Sequence, residues 1–268
     1  MTKLRKYLLI TFIFTTILAI FGVSASEGIF DFALAICMYI PMTAAFFAGA
    51  DIPEMGWGMR LERKNFLLLL IAWLLPTAME LMGGIAYFLV FPEDFVFSDG
   101  FLHEISQSLA PYNLIVPCIL ALGEEVGWRG FLYPELKQRY GRIKGILLGG
   151  AIWGSWHFPA MLLAGYEYGR EYIGAPLLGL FAFPLFCTAA GIIADFLYEK
   201  SESIWLPTLF HACINASVGM WFFRNDLHPE RSIFGPSDIG LLGVIPTLLI
   251  AAAILYCEMK NDAVTEWE

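Results

Sequence analysis

The sequence predicts an all-α, polytopic membrane protein: a bundle of about eight transmembrane helices with both termini in the cytosol, forming one domain over residues 1–268. Three observations predict it. The chain is 58% hydrophobic and only 15% charged, where a soluble domain carries roughly a quarter charged residues. Its mean hydropathy is +0.66. The apolar excess also falls in blocks of about 20 residues, the length that crosses a bilayer as a helix.

The blocks run near 7–25, 30–50, 66–90, 112–133, 145–165, 176–198, 204–223 and 239–257. The first follows Lys3, Arg5 and Lys6 and ends at Val23-Ser24-Ala25. It therefore also reads as a cleavable signal peptide, whose loss would leave the other spans and their orientation unchanged. Asp31 and Asp195 lie near span ends, where interfacial solvation accounts for them. The segment 51–65 mixes Trp57, Met59 and Leu61 with Arg60, Arg63 and Lys64, a pattern expected on the cytosolic membrane surface. Pro76, Pro117, Pro184, Pro207 and Pro246 interrupt spans. No repeated halves accompany them, as a secondary transporter would require.

Orientation follows from the basic residues. With the N-terminus in the cytosol, 12 of the 16 Lys and Arg fall inside: Lys3, Arg5, Lys6, Arg60, Arg63, Lys64, Lys137, Arg139, Arg142, Lys144, Lys200 and Lys260. Arg170, Arg224 and Arg231 fall outside, and Arg129 lies within a span. The bias places a multi-pass protein in the cell membrane. The net charge of −9 leaves no basic stripe for phosphates and excludes nucleic acid as a partner. Five cysteines, at 37, 118, 187, 213 and 257, form no CxxC pair and read as free thiols in apolar surroundings rather than a disulfide framework.

Ionisable groups inside spans are costly and mark function or a structural pair. The fourth span reads Gly123-Glu124-Glu125-Val126-Gly127-Trp128-Arg129-Gly130. Glu125 and Arg129 are four apart on one helical face and can pair, while Glu124 points about 100° away and stays free for chemistry. The fifth span carries His157 after Trp153, and the seventh carries His211 and Asn215, side by side at i, i+4. Each histidine alone is as readily a core residue or a polar helix contact. Depth joins them. Measured from the cytosolic ends, Glu124 lies roughly 14 Å deep, His157 roughly 18 Å and His211 roughly 10 Å. Independent structural residues need not share one slab. Glu80, in the third span, matches no motif and is expected to make a buried hydrogen bond to a neighbouring helix.

A carboxylate, two imidazoles and an amide at one depth suit hydrolysis. Glu124 and a histidine can hold and deprotonate a water. Alternatively Glu124, His157 and His211 can bind zinc or another divalent metal, which acidifies its water. The second histidine and Asn215 can instead donate to the oxyanion of a tetrahedral intermediate. Other protease motifs are missing: His103-Glu104-Ile105-Ser106-Gln107 ends in Gln where HExxH needs His, and there is no GxSxG elbow.

The set resembles the CAAX protease and bacteriocin-processing family of intramembrane endopeptidases, which includes the type II CAAX prenyl proteases. EExxxR matches Glu124, Glu125 and Arg129. An aromatic followed four residues later by His, usually FxxxH, matches Trp153 and His157, with Trp replacing Phe in a departure expected to affect packing more than chemistry. HxxxN matches His211 and Asn215. The likeness covers about 110–225 through its motifs and the outer spans by topology only. It implies that Glu124 and His157 activate water, that His211 and Asn215 stabilise the oxyanion or complete a metal site, and that Glu125 and Arg129 hold the site together. It further implies a protein or peptide substrate, prenylated in the type II enzymes, cut on the cytosolic side to release a C-terminal tripeptide. The aromatic interior can host a lipid tail. The competing expectation is a non-catalytic membrane scaffold, immunity or regulatory protein of the same fold.

Overall fold

The computed structural model describes residues 1–24, 27–58, 62–97, 99–217, 220–225 and 227–265. Ala25, Met59, Arg60 and Leu61 lie outside the described residues, as does the side chain of Asp31. Helices dominate: α1 (Lys3–Val23), α2 (Glu27–Cys37), α3 (Ile40–Ala48), α4 (Arg63–Val90), α5 (Phe101–Leu109), α6 (Ile115–Gly127), α7 (Tyr133–Tyr140), α8 (Arg142–Trp156), α9 (Phe158–Ala164), α10 (Leu177–Ser201), α11 (Trp205–Ala216) and α12 (Ile245–Thr265). Among the described residues, extended pairing is limited to one isolated bridge between Phe95 and Arg224.

Among the described residues, five stretches are long and apolar enough to cross a membrane: Lys3–Val23, Arg63–Val90, Arg142–Ala164, Leu177–Ser201 and Trp205–Phe223. A sixth is added if Phe101–Leu109 and Pro111–Tyr140, bent by 62°, count as one span. The expected block 30–50 is two helices broken at Met38–Tyr39, with Pro41 just inside α3. Pro76 and Pro184 lie within α4 and α10. Pro117, Pro207 and Pro246 instead fall in the first turns of α6, α11 and α12. A first-turn N–H has no intrahelical acceptor, so proline there opens a helix rather than interrupting it.

The bundle turns its apolar surface outward. Leu9, Ile13, Phe14, Ile17, Ile20 and Phe21 of α1 are each at least half exposed, a continuous apolar face that water would not tolerate but lipid would. The apolar window of α10 is 61% buried against 28% for α1, so α10 is the central helix and α1 a peripheral one. α1 is nevertheless built into the bundle: Tyr7 and Thr11 are fully buried, and Trp156 Nε1–H donates to Thr15 Oγ1 at 2.5 Å.

Small residues set how closely the central helices approach. A Cβ on Gly150 or Gly154 of α8 would run into the backbone of Thr188 or Pro184 on α10. Two glycines four apart thus give α8 a flat stripe, as in membrane helix pairs generally. Gly127 meets Pro41 of α3 in the same way. Replacing Gly150 by Val should cost about 1–3 kcal/mol through overpacking. A melting temperature unchanged in detergent would refute the close α8–α10 contact.

Polar clasps close both ends of the bundle. At one end Lys137 Nζ donates to Asp195 (2.8 and 3.1 Å) and to Glu199 (2.8 Å), and Arg142 and Lys200 meet Glu258. Asp195 is therefore not a solvated interfacial residue as expected. It is 1% exposed and neutralised by a partner on another helix. At the other end Arg231 pairs with Glu93 (2.7 Å) and Asp94 (3.1 Å), and Asp94 accepts from Tyr87 Oη–H at 2.5 Å. All described cysteines are free; Cys37, Cys187 and Cys213 are buried, while Cys257 is exposed.

Candidate active site

The three motif segments converge from α6, α8 and α11 on one cavity of about 540 Å³, whose walls include Glu124, Trp153, His157, His211 and Asn215. α6 ends at Gly127, and Trp128–Leu132 forms a π-helical turn before α7. Such single wide turns recur at functional sites because they re-aim side chains within a helix. The turn lies immediately after the paired glutamates. The motif nevertheless keeps its i, i+4 pairing, with Arg129 Nη1–H donating to Glu125 Oε1 at 2.9 Å.

Glu124 and Glu125 have separate surroundings, as their angular separation predicts. Glu125 is fully buried. Its Oε1 also faces His211 Nδ1 at 2.8 Å, so one carboxylate oxygen holds both the arginine and the second histidine. Arg129 is also fully buried, and its Nε and Nη2 find no oxygen acceptor. They lie between aromatic faces instead: the guanidinium carbon is 4.8 Å from the Tyr133 centroid and 4.7 Å from that of Trp153. A desolvated cation over rings is attracted by their quadrupoles.

Glu124 is 3% exposed. Its Oε2 accepts from two indoles, Trp128 Nε1–H at 2.9 Å and Trp153 Nε1–H at 2.8 Å. Its Oε1 is turned toward His211 Nε2, 4.0 Å away. One oxygen is thus anchored while the other keeps its lone pairs for a small molecule. Trp153 is the hinge of the arrangement. Its indole fixes Glu124, and its carbonyl pairs with His157 Nδ1 at 3.0 Å. A carbonyl only accepts, so Nδ1 carries the proton and Nε2 of a neutral His157 is left as the base. The His157 ring stacks on Tyr166 (5.9 Å between centroids) and packs edge-on against Trp156 and Phe183. Asn215, exposed and one turn beyond His211, borders the cavity.

The structure therefore brings together Glu124, His157, His211 and Asn215, with Glu125 and Arg129 behind them. It corrects the expectation for Trp153. Tryptophan at this position is a hydrogen-bond donor to the candidate carboxylate, a role phenylalanine cannot fill. Trp128 was missed for the same reason, although its place one turn after Glu124 was the available signal. Replacing Trp153 by Phe should lower turnover about threefold to tenfold, the effect of losing one charge-assisted hydrogen bond of two. Turnover equal to wild type would show that the indole N–H plays no part.

A carboxylate and two imidazoles are the right donors for zinc. Among the described residues, however, no three His, Cys, Asp or Glu side chains are placed to share one ion. The arrangement does not fit a metal as it stands. The near-motif His103-Glu104 sits on α5 with His103 exposed, away from the cavity walls.

Comparison with known proteins bears on this geometry. The family model described as type II CAAX prenyl endopeptidase, Rce1-like, matches residues 106–217. That stretch contains all seven motif residues. This chain resembles the type II CAAX prenyl proteases. Over 167 residues it is also 30% identical to CAAX prenyl protease 2 of Methanococcus maripaludis. That match takes in 62% of this chain and 56% of the relative, so the chain spans little more than half the length of the curated protein. The Rce1-like segment runs from α5 to α11. It excludes Glu80, whose oxygens accept backbone N–H groups as expected of a buried hydrogen bond, that of Met220 at the start of the helical turn Met220–Phe223 (2.9 Å) and that of Asp238 in the loop before α12 (2.8 Å).

Proposed function

We propose that this chain is an intramembrane endopeptidase of the CAAX-processing type, hydrolysing a peptide bond next to a prenylated cysteine and releasing a C-terminal tripeptide. The observation that carries the proposal is the division of labour between adjacent glutamates. Glu125 is held by Arg129 and His211, while Glu124 presents one unanchored oxygen to a cavity that His157, His211 and Asn215 also border.

A water held between Glu124 Oε1 and His157 Nε2 loses a proton to that pair as its oxygen attacks the scissile carbonyl carbon. The carbonyl oxygen becomes the oxyanion. It accepts from His211 Nε2–H, in the ring's doubly protonated form, and from the Asn215 amide. Collapse of the intermediate breaks the C–N bond, and the proton taken from water passes to the leaving amine. Glu125 and Arg129 do not touch substrate; they keep His211 and Trp153 in place. The cavity opens among apolar and aromatic walls including Phe183, Phe186 and Trp156, a surface that suits an isoprenoid chain. We place the reaction on the cytosolic side of a multi-pass protein of the cell membrane, with eight spans and both ends inside, on the 12-to-3 bias of basic residues.

Mass spectrometry of a farnesylated CAAX peptide incubated with the purified chain tests the proposal. The expected product is the intact C-terminal tripeptide. Release of single amino acids would instead indicate a carboxypeptidase and contradict it.

A further inference from the structure

α1 lies outside the Rce1-like segment, yet it reaches the candidate site. Its buried face runs through Leu4, Tyr7, Thr11, Thr15, Ala19 and Gly22, spaced three or four apart on one side of the helix. Three of these six carry a hydroxyl, in a helix that is mostly apolar beyond Lys6. Thr15 and Ala19 line the cavity together with Trp156 and His157. The neighbouring Thr16 satisfies its hydroxyl within its own helix, donating to the Phe12 carbonyl at 2.8 Å, the usual recourse of a threonine in mid-helix. Thr15 does otherwise. Its Oγ1 accepts the Trp156 indole N–H at 2.5 Å, from a helix 141 residues away.

Trp156 touches both halves of the water-activating pair. Its ring meets the His157 imidazole edge-on, 4.7 Å between centroids, and the Trp128 ring at 5.7 Å. Trp128 in turn donates to Glu124 Oε2. α1 also reaches Trp128 directly, through the fully buried Tyr7 ring at 6.1 Å. An aromatic ring held by packing alone rocks about its broad second side-chain torsion. A hydrogen bond at the indole edge removes that freedom and fixes the plane against which its neighbours lie. We infer that α1 is a working part of the active site, with Thr15 a positioning residue that locks the Trp156 indole and, through it, the His157 ring and the Trp128–Glu124 hydrogen bond. The chemical consequence rests on the peptidase reading above. A general base and its water tolerate little misplacement, since shifts well under 1 Å already lower the rate. A bond that served only to hold α1 against α8 would alter melting and leave kcat alone. Because α1 lies outside the matched segment, this device belongs to the chain's outer elements rather than to the shared motifs.

The test uses the full chain in detergent, a farnesylated CAAX peptide and melting curves that establish folding of each variant. Thr15→Val keeps the shape and removes the acceptor. It should lower kcat about threefold to tenfold, the size of one neutral buried hydrogen bond, with KM unchanged. Thr15→Ser restores the oxygen and should recover most of the loss, while Thr16→Val should turn over like wild type. Trp156→Phe lacks the N–H and should lower kcat at least as much as Thr15→Val. In that background Thr15→Val should add nothing, because residues acting through one contact are not additive. Wild-type kcat in folded Thr15→Val would overturn the inference. So would losses that multiply in the double variant, since Thr15 would then act on the peptide directly. If wild type cuts no peptide, the peptidase reading fails on its own, and NMR of protein labelled with nitrogen-15 at tryptophan and histidine decides the relay. Thr15→Val should shift the indole signals of both Trp156 and Trp128 and the ring signals of His157. A shift confined to Trp156 would overturn it.

Discussion

Glu124→Gln is expected to abolish peptide hydrolysis, lowering kcat by about 10³-fold or more, the range lost when a general base is removed. The amide keeps an oxygen to accept the indole N–H groups of Trp128 and Trp153, so the packing around it is retained. Removing a buried negative charge that exists for chemistry does not destabilise a fold and often stabilises it. The melting temperature in detergent should therefore stay level or rise. KM should change little, because Glu124 acts on the water rather than on the peptide. A folded Glu124→Gln protein with substantial turnover would remove this residue from the reaction.

Arg129→Ala is expected to behave oppositely, losing stability and activity together. Arg129 and Glu125 are both fully buried, and deleting the arginine leaves a carboxylate without its counter-charge. Breaking a buried pair in this way costs about 3–5 kcal/mol. The guanidinium's contacts with Tyr133 and Trp153 disappear as well. Activity falls because the same Glu125 oxygen holds His211, and Trp153 holds Glu124. A double variant, Glu125→Gln with Arg129→Met, should recover much of the stability, since it leaves no lone buried charge. It should not recover turnover. Thermal unfolding of the single and double variants checks both statements. A single variant that melts like wild type would contradict the structural role of the pair.

The candidate site was legible in the sequence because polar residues are scarce in apolar helices, so Glu124, Glu125, Arg129, His157, His211 and Asn215 stood out one by one. Their common depth then joined them. What stayed hidden depends on partners distant in sequence. Asp195 looked interfacial because nothing local reveals Lys137, 58 residues away. Glu80 meets Asp238 across 158 residues. Trp128 and Trp153 counted as apolar volume, so their N–H donors to Glu124 went unread. The fold was legible as an apolar helix bundle, but hydropathy averages over a window and cannot register a break of two residues. Met38–Tyr39 and the π-helical turn at Trp128–Leu132 are irregularities inside apolar runs. Proline position was equally ambiguous: the same residue interrupts a helix at Pro184 and opens one at Pro207.

The most direct measurement is cleavage of a farnesylated CAAX peptide by the purified chain, run beside Glu124→Ala and His157→Ala, each with and without a metal chelator. A water activated by Glu124 and His157 predicts turnover by wild type, none by either folded variant, and no effect of the chelator. Turnover that survives in Glu124→Ala would contradict the assignment of the base. Loss of wild-type activity with chelator, restored by added zinc, would contradict the metal-free water.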